Sequence, residues 1–263
     1  MRASLPFRGT ALPGLAALPV IVTLVADGST VRGVTVVEAL RAGVMLLAGA
    51  WAGGRPQSRG IGRILLFGGL LGVAGLVCRL PGLVIASDGL AASWNSWLHY
   101  WIWVPQVMTP LLLATAIFPD GRPALPIAAK VSVFAVAAAS LTAATYNWPR
   151  SDGGAGGNPA SLPPRLGDPL MVITLAAVLV AIVLVLASLA VRWKRGEAAV
   201  RRSLLYPLAA LLLGIAYELL RPVVPEAPGD TWEVFLPIYC AVLALAVRPP
   251  GRRRLHSIGR GGA

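Results

Sequence analysis

The chain has 263 residues, of which 56% are hydrophobic and only 13% are charged, and its mean hydropathy is +0.73. Soluble domains carry about 25% charged residues, so a chain this poor in charge cannot cover its own surface with polar groups. Several apolar runs of roughly 17–25 residues have the length that a helix needs to cross the hydrocarbon core of a bilayer. A β-barrel would instead show short segments of alternating polarity. The composition therefore predicts an all-α fold, a polytopic transmembrane helical bundle.

The apolar runs predict about eight transmembrane spans in a single membrane domain that covers residues 1–263. The spans are roughly 11–26, 35–53, 61–78, 97–118, 125–146, 169–191, 204–220 and 232–247. The first run also fits a signal peptide, but no A-x-A-like cleavage site follows it, so we favour a retained anchor. The Gly- and Pro-rich residues 147–168 predict a flexible outer loop, and residues 248–263 predict a basic cytoplasmic tail.

The distribution of basic residues predicts the orientation. The net charge is +12, but the charges lie between the apolar runs and at the C-terminus, which argues against a nucleic-acid partner. With the N-terminus inside, 16 of the 23 Lys and Arg residues fall in cytoplasmic segments and five in outer segments. Because basic loops resist translocation, both termini are predicted to be cytoplasmic. The excess of Arg over Lys and the abundance of Ala and Gly are associated with bacterial proteins, so we expect a bacterial cytoplasmic membrane.

The stretch FPDGR lies between predicted spans four and five. Pro119 presets φ for a turn, Asp120 caps locally and Gly121 accepts conformations that other residues resist. Arg122 favours the cytoplasmic side. Together with Phe118 these residues predict a tight cytoplasmic hairpin, which explains the motif without any further role.

Three stretches, in chain order, resemble the membrane sensor region of actinobacterial FPDGR-type sensor histidine kinases. They are GGRPQSRGIGRILLFGGLLGVAGL (53–76), FPDGR (118–122) and RWKRGEAAVRRSLLYPLAALLL (192–213). The resemblance implies a sensor-like membrane architecture. In that family the last span leads into a dimerisation helix with a phosphoacceptor His and an ATP-binding domain. Here His256 has no acidic neighbour and no nucleotide-binding boxes follow, so the resemblance does not extend to kinase activity.

The stretch SWNSWLHYWIWVP at the start of span four is rich in aromatic residues. Trp94, Trp97 and Trp101 recur at i, i+3 and i+7, so they share one helical face. We favour an interfacial aromatic belt at the outer end of the span. The alternative is an outward-facing pocket for a lipid-like or aromatic ligand, with His99 as its polar or pH-sensitive group.

Two pairs of ionisable residues lie within or beside spans at i, i+3 spacing. Glu38 and Arg41 lie near the outer end of span two, and Glu218 and Arg221 lie near the outer end of span seven. Ionisable groups inside spans are costly, so they usually pair, face the bundle interior or mark a pathway. We favour two local ion pairs that lie close enough to the interface to remain accessible to water. The alternative is that both pairs line one outer vestibule with His99.

Catalytic patterns are missing from the sequence, which contains no G-x-S-x-G, H-E-x-x-H or P-loop motif and few residues that could hold a metal. We therefore expect no catalytic residue, cofactor or metal. The first functional hypothesis is a non-catalytic sensor-like protein in the lipid bilayer, acting alone, through a separate cytoplasmic signalling partner or as a homodimer. A small transporter or permease component is the alternative, and a lipid-modifying enzyme is the least consistent. The glycines of span three, Gly68, Gly72 and Gly75, suit helix packing within a bundle or a dimer.

Overall fold

The structure, a computed structural model, describes residues 29–84, 90–146, 158–220 and 231–247. Within these ranges the chain is helical and contains no strand, so the predicted all-α class is confirmed. The helices are α1 (Ser29–Gly53), α2 (Arg59–Val84), α3 (Leu90–Met108), α4 (Pro126–Thr145), α5 (Pro164–Arg195), α6 (Ala198–Leu220) and α7 (Thr231–Ala246). A 3-10 turn, Pro56–Ser58, joins α1 to α2.

Five helical stretches are long and apolar enough to cross a membrane, judged by length and composition. They are Pro56–Cys78, Trp97–Ile117, Pro126–Thr145, Pro164–Arg195 and Ala198–Ala216, and they fall on predicted spans three to seven. Predicted span eight contains a shorter apolar helix, Phe235–Ala246. Predicted span two falls on α1, and predicted span one lies outside the described residues, so the total of eight stays a prediction.

Helix α5 gives the strongest indication of a lipid environment. It has 32 residues, which corresponds to about 48 Å of α-helix and exceeds the thickness of a hydrocarbon core. Only 17% of its most apolar window is buried. Its exposed apolar side chains include Val172, Ile173, Leu175, Leu179, Val180, Ile182, Val183 and Leu186. Soluble proteins rarely expose an apolar surface this continuous, so the helices indicate a membrane-embedded protein.

The helices pack mostly on their sequence neighbours. Helix α1 packs on α2 and α7, α2 also packs on α3, α3 on α4, α4 on α5, and α6 on α7. One end of this bundle gathers the connections 54–58, 118–125 and 196–197, and we call it the FPDGR end. There Arg55 Nη1 donates a hydrogen bond to the Val247 carbonyl at 3.3 Å. At the opposite end, which we call the aromatic end, Trp97 Nε1 donates to the Ala144 carbonyl at 2.7 Å.

Glycines allow α1 and α2 to approach backbone to backbone. A Cβ atom on Gly62 would lie 2.2 Å from Gly53 N and 2.7 Å from Gly49 O. A Cβ atom on Gly69 would lie 2.9 Å from Leu46 N. Small residues at a helix interface let backbones pack closely where the surrounding lipid supplies no hydrophobic driving force. The α1–α2 hairpin therefore depends on glycine at the crossing, and the glycine face of span three packs within the bundle, where Gly72 faces Ala42 and Gln106.

Small residues also form the α4–α5 contact. The buried positions of α4 are Ala128, Ser132, Ala135, Ala139, Thr142 and Ala143. Thr142 Oγ1 and Thr174 Oγ1 lie 2.6 Å apart, and Thr174 Oγ1 also donates to the Ala138 carbonyl at 3.4 Å. These hydroxyls are satisfied across the helix pair, so α4 holds α5 to the bundle although most of α5 is exposed.

The segment predicted as a flexible outer loop, 147–168, is in part ordered structure. Residues 147–157 lie outside the described residues, as does the predicted tail 248–263. From Asn158 onward the chain is bonded to the end of α4, because Asn158 Nδ2 donates to the carbonyls of Ala144 and Tyr146 at 2.9 Å. Helix α5 then begins at Pro164, inside the predicted loop. The Gly and Pro content of the segment predicts a loop, but Pro is also favoured in the first turn of a helix, which is where Pro164 lies.

The close crossing of α1 and α2 makes Gly62→Ala a sharp test of the fold. The added methyl group meets backbone atoms that cannot rotate away, so we expect the free energy of unfolding to fall by about 2 kcal/mol. Gly75→Ala is the matched control on the same helix, because its Cβ atom would meet Ile102 Cγ2 at an ordinary 3.6 Å. Unfolding in mixed detergent micelles measures both. Equal stability of the two variants would contradict the packing described here.

Candidate functional site

The FPDGR turn is anchored in the main core of the bundle. The Phe118 side chain is fully buried and belongs to a core cluster with residues of α1, α2, α6 and α7. The Phe118–Pro119 peptide bond is cis, and Gly121 has a φ of 71°. A Cβ atom on Gly121 would lie 2.7 Å from the Gln57 carbonyl oxygen. Glycine is thus required at position 121 for two reasons: its backbone is left-handed, and the α1–α2 connection leaves no space for a Cβ atom.

The same turn holds the C-terminal end of α5. Arg192 Nη1 donates to Asp120 Oδ2 at 2.8 Å, and Arg192 Nη2 donates to the Arg122 carbonyl oxygen. Arg192 is 8% exposed, whereas the Asp120 side chain is 58% exposed. Arg192 also lies in the last turn of its helix, where a positive charge is favoured by the helix dipole. The predicted hairpin is therefore also a three-way junction of the turn, the α1–α2 connection and α5.

A second cluster of charged groups lies in a cavity between α1, α2 and α3. His99 Nε2 lies 3.4 Å from Glu38 Oε1, and the side chains of His99 and Glu38 are 22% and 5% exposed. Arg41 is 3% exposed and lines the same cavity. The lining residues are Glu38, Arg41, Gly72, Gly75, Leu76, His99, Ile102, Trp103 and Gln106. The structure thus brings together three of the ionisable residues that the alternative interpretation of the sequence placed in one outer vestibule.

The cavity is small. It leaves about 10 Å³ for the centre of a water molecule, which is room for roughly one water. Gln106 forms part of its lining, is 1% exposed, and its Nε2 lies 3.9 Å from Met45 Sδ. The glycines of α2 provide the space, since a Cβ atom on Gly72 would lie 2.5 Å from Gln106 Nε2. At this size the cavity accommodates a water molecule.

The tryptophans of the aromatic end occupy another face of α3. Trp94 and Trp97 form an edge-to-face pair with centroids 5.2 Å apart, and Trp97 stacks on Trp101 at 5.6 Å. Trp94 and Trp101 are 41% and 37% exposed, whereas Trp97 bonds to α4. Of the described tryptophans, Trp103 lines the cavity, because it lies one turn after His99. The row of Trp94, Trp97 and Trp101 has the exposure expected of an interfacial aromatic belt.

Helix α3 connects the cavity to the FPDGR turn. It continues without a break into a π-helical segment, Thr109–Ala114, and a last α-helical turn, Thr115–Ile117. Thr115 Oγ1 and the Tyr239 hydroxyl lie 2.5 Å apart in the core, and Thr115 Oγ1 also donates to the Pro110 carbonyl at 3.4 Å. π-Helical turns are rare and occur frequently at functional sites. Pro105 and Pro110 are the sequence signal for an irregular helix here.

The second predicted ion pair cannot be compared with the cavity. Glu218 lies in α6, but its side chain is outside the described residues, as is the whole of Arg221. Among the residues that the structure describes, no group of three or more His, Cys, Asp or Glu residues could hold a metal ion. Arg192, Gln106, Trp103, Thr115 and Tyr239 were missed by the sequence analysis. The chain matches no protein-family model, and neither a curated protein nor a solved structure is significantly similar to it.

Gly121→Ala tests the role of the FPDGR turn as a junction. The alanine must adopt a left-handed backbone beside the Gln57 carbonyl, so we expect the free energy of unfolding to fall by about 2 kcal/mol. Gly54→Ala, in the neighbouring α1–α2 connection, is the control, because its Cβ atom would approach no described atom closer than 3.5 Å. Thermal unfolding in detergent measures both variants. A turn that only reverses the chain would tolerate the two changes alike.

A double-mutant cycle on Asp120 and Arg192 measures the tie between the turn and α5. We expect a coupling energy of about 1 kcal/mol between Asp120→Asn and Arg192→Gln, because one partner is buried and the other is largely in water. The coupling should weaken with added salt. Lys194→Gln removes a nearby exposed charge as a control, and it should not couple to Asp120→Asn. A coupling within error of zero at low salt would show that the ion pair does not hold α5.

Proposed function

We propose that the protein is a non-catalytic, sensor-like integral membrane protein in which α3 transmits a change at the Glu38–His99 cavity to the FPDGR turn. The observation that carries this proposal is continuity. His99 lies near one end of an unbroken helical run, and Phe118 follows directly on its other end. The two residues are roughly 28 Å apart along the axis at 1.5 Å per residue. A displacement of the helix at the cavity therefore reaches the turn without crossing a loop.

The buried charges support an input role for the cavity. Glu38 and Arg41 are 4% and 3% exposed. Ionisable groups inside a membrane bundle are costly and usually mark a functional site. Since the cavity is lined by three helices, a change in the charge of any member alters the side-chain contacts between α1 and α3. A site that served packing alone could use apolar residues of the same volume at lower cost.

The π-helical segment supports transmission. A π-helical turn contains one residue more than the α-helical turn that it replaces, so its conversion rotates the helix that follows. Thr109–Ala114 lies between the cavity and Phe118. The Thr115–Tyr239 contact ties the end of this segment to α7, which packs on α1. We propose that this segment is the element with two arrangements that coupling between distant sites requires.

The output is proposed at the FPDGR end, facing the cytoplasm. Its exposed basic residues in the described ranges are Arg59, Arg63, Arg122, Lys194, Arg195, Arg201 and Arg202. Such a concentration of Arg and Lys favours the cytoplasmic side of a membrane. The turn and the ends of α5 and α6 then form the surface that a separate cytoplasmic signalling partner or a second copy of the chain can contact.

A small transporter or permease component is the second candidate, and the buried Glu38 is the observation that favours it. Intramembrane carboxylates commonly serve in proton or ion pathways. Liposomes that contain the protein and a trapped pH-sensitive dye distinguish the two candidates. A sensor should leave an imposed pH gradient as stable as in empty liposomes. A leak that Glu38→Gln abolishes would support transport and contradict the sensor.

Hydrogen exchange tests transmission directly. His99→Gln and Glu38→Gln, each at the cavity, should change the exchange rate of amides in peptides that cover 118–125 by several-fold, because the proposed coupling runs along α3. Trp101→Phe, on the exposed face of the same helix, should leave those amides unchanged. The exchange of the α4–α5 contact around Thr142 and Thr174 serves as an internal reference. Unchanged exchange at 118–125 in both cavity variants would refute transmission.

A further inference from the structure

We infer that Glu38 and His99 form a proton-binding site, an inference that rests on the proposed sensor function and names its signal. The two side chains come from different helices, and His99 Nε2 lies 3.4 Å from Glu38 Oε1. Imidazole is the side chain whose charge ordinarily changes between about pH 5 and pH 8. A proton that binds His99 converts a contact between a carboxylate and a neutral ring into an ion pair.

The exposures of the two side chains suit proton exchange with water. The His99 side chain is 22% exposed, whereas that of Glu38 is 5% exposed. His99 lies two residues inside the candidate span that begins at Trp97, which is roughly 3 Å along the helix axis. The cavity has room for about one water molecule. Protons from interfacial water can therefore reach the ring while the carboxylate stays shielded.

The charges around His99 show how one added proton changes the charge balance of the cavity. Helix α1 contributes Glu38 and Arg41, and the residues of α2 that line the cavity, Gly72, Gly75 and Leu76, carry no charge. On α3 itself Gln106 and Trp103 are neutral. Among the described lining residues, a neutral His99 leaves one anion with one cation. A protonated His99 adds a second cation, which comes from another helix than the first.

The added proton strengthens the link between α1 and α3. A carboxylate has two oxygens and accepts hydrogen bonds from several donors. Glu38 can therefore accept hydrogen bonds from Arg41 and from protonated His99 at the same time. Hydrogen bonds between ionised groups are shorter and stronger than those between neutral groups. A contact of Glu38 with Arg41 stays within α1, whereas a contact with protonated His99 joins α1 to α3. Acidification at the aromatic end is thereby converted into tighter contact of α3 with α1.

Stability as a function of pH tests the site. The wild-type protein in detergent should gain about 3 °C more in unfolding midpoint between pH 8 and pH 5.5 than His99→Gln. The sign follows from the ion pair, which exists only when the ring is protonated. The chain has two histidines, so His256→Gln is the matched control and should behave as the wild type. Parallel profiles for the wild type and His99→Gln, or a gain of the opposite sign, would overturn the inference.

A spectroscopic measurement keeps the test decisive if His99→Gln does not fold. In wild-type protein with ¹³C-labelled histidine, two ring signals are expected, and His256→Gln assigns them. The His99 signal should move between pH 5 and pH 8 in the wild type. In Glu38→Gln, the proton concentration at the midpoint of this change should differ at least tenfold from that in the wild type. A His99 ring that stays neutral throughout, or that titrates identically in Glu38→Gln, would overturn the site.

The two proposals fail in different ways. If His99 titrates as expected but the protection factors of amides at 118–125, corrected for the intrinsic pH dependence of amide exchange, are the same at pH 5.5 and pH 8, the proton site stands and the sensor function fails. If the cavity variants change exchange at 118–125 but His99 does not titrate, the sensor function stands and the proton is the wrong signal.

Discussion

The contact between Arg192 and the FPDGR turn is the constraint on which the FPDGR end depends. A guanidinium that is 8% exposed must satisfy its donors within the protein, since leaving a buried charge without partners costs several kcal/mol. The turn supplies a carboxylate at Asp120 and a carbonyl at Arg122. Both groups face Arg192 only while the left-handed Gly121 keeps its place against the α1–α2 connection. Consequently Arg192, on the largely exposed α5, fixes the geometry of the turn. The first residue of that turn, Phe118, is buried in the core.

The two ends of the bundle bury charge in different ways. At the FPDGR end the buried guanidinium of Arg192 is bound by the Asp120 carboxylate and the Arg122 carbonyl. At the aromatic end the carboxyl group of Glu38 lines a cavity with Arg41 of its own helix and lies 3.4 Å from the His99 ring on α3. The first contact joins the turn to α5, and the second joins α3 to α1. Helix α3 joins the two, with a π-helical segment at Thr109–Ala114 between them.

The all-α class and most span positions could be predicted because they depend on local properties. Helix length and apolar content are readable in a window of about 20 residues, and five stretches of the structure fall on predicted spans. The faces of α3 were also predictable, since His99 and the Trp94–Trp97–Trp101 row follow from helical periodicity. Pairs across helices were not predictable. Asp120 and Arg192 are 72 residues apart, and no periodicity in a single sequence indicates which arginine of a basic loop is buried.

The FPDGR motif illustrates why a sufficient local explanation can still be incomplete. Each of its residues suits a cytoplasmic hairpin, and that interpretation required nothing further. The turn chemistry explains why Gly121 is allowed, but the Gln57 carbonyl 2.7 Å from its missing Cβ atom explains why no other residue fits. Likewise Asp120 is exposed enough to serve as a local cap, yet its carboxylate binds a helix distant in sequence. A turn that is held by contacts with α5 and with the α1–α2 connection cannot move alone. Any motion of α3 that reaches Phe118 must therefore also move those neighbours, which makes the turn a suitable place for an intramembrane change to become visible at the surface.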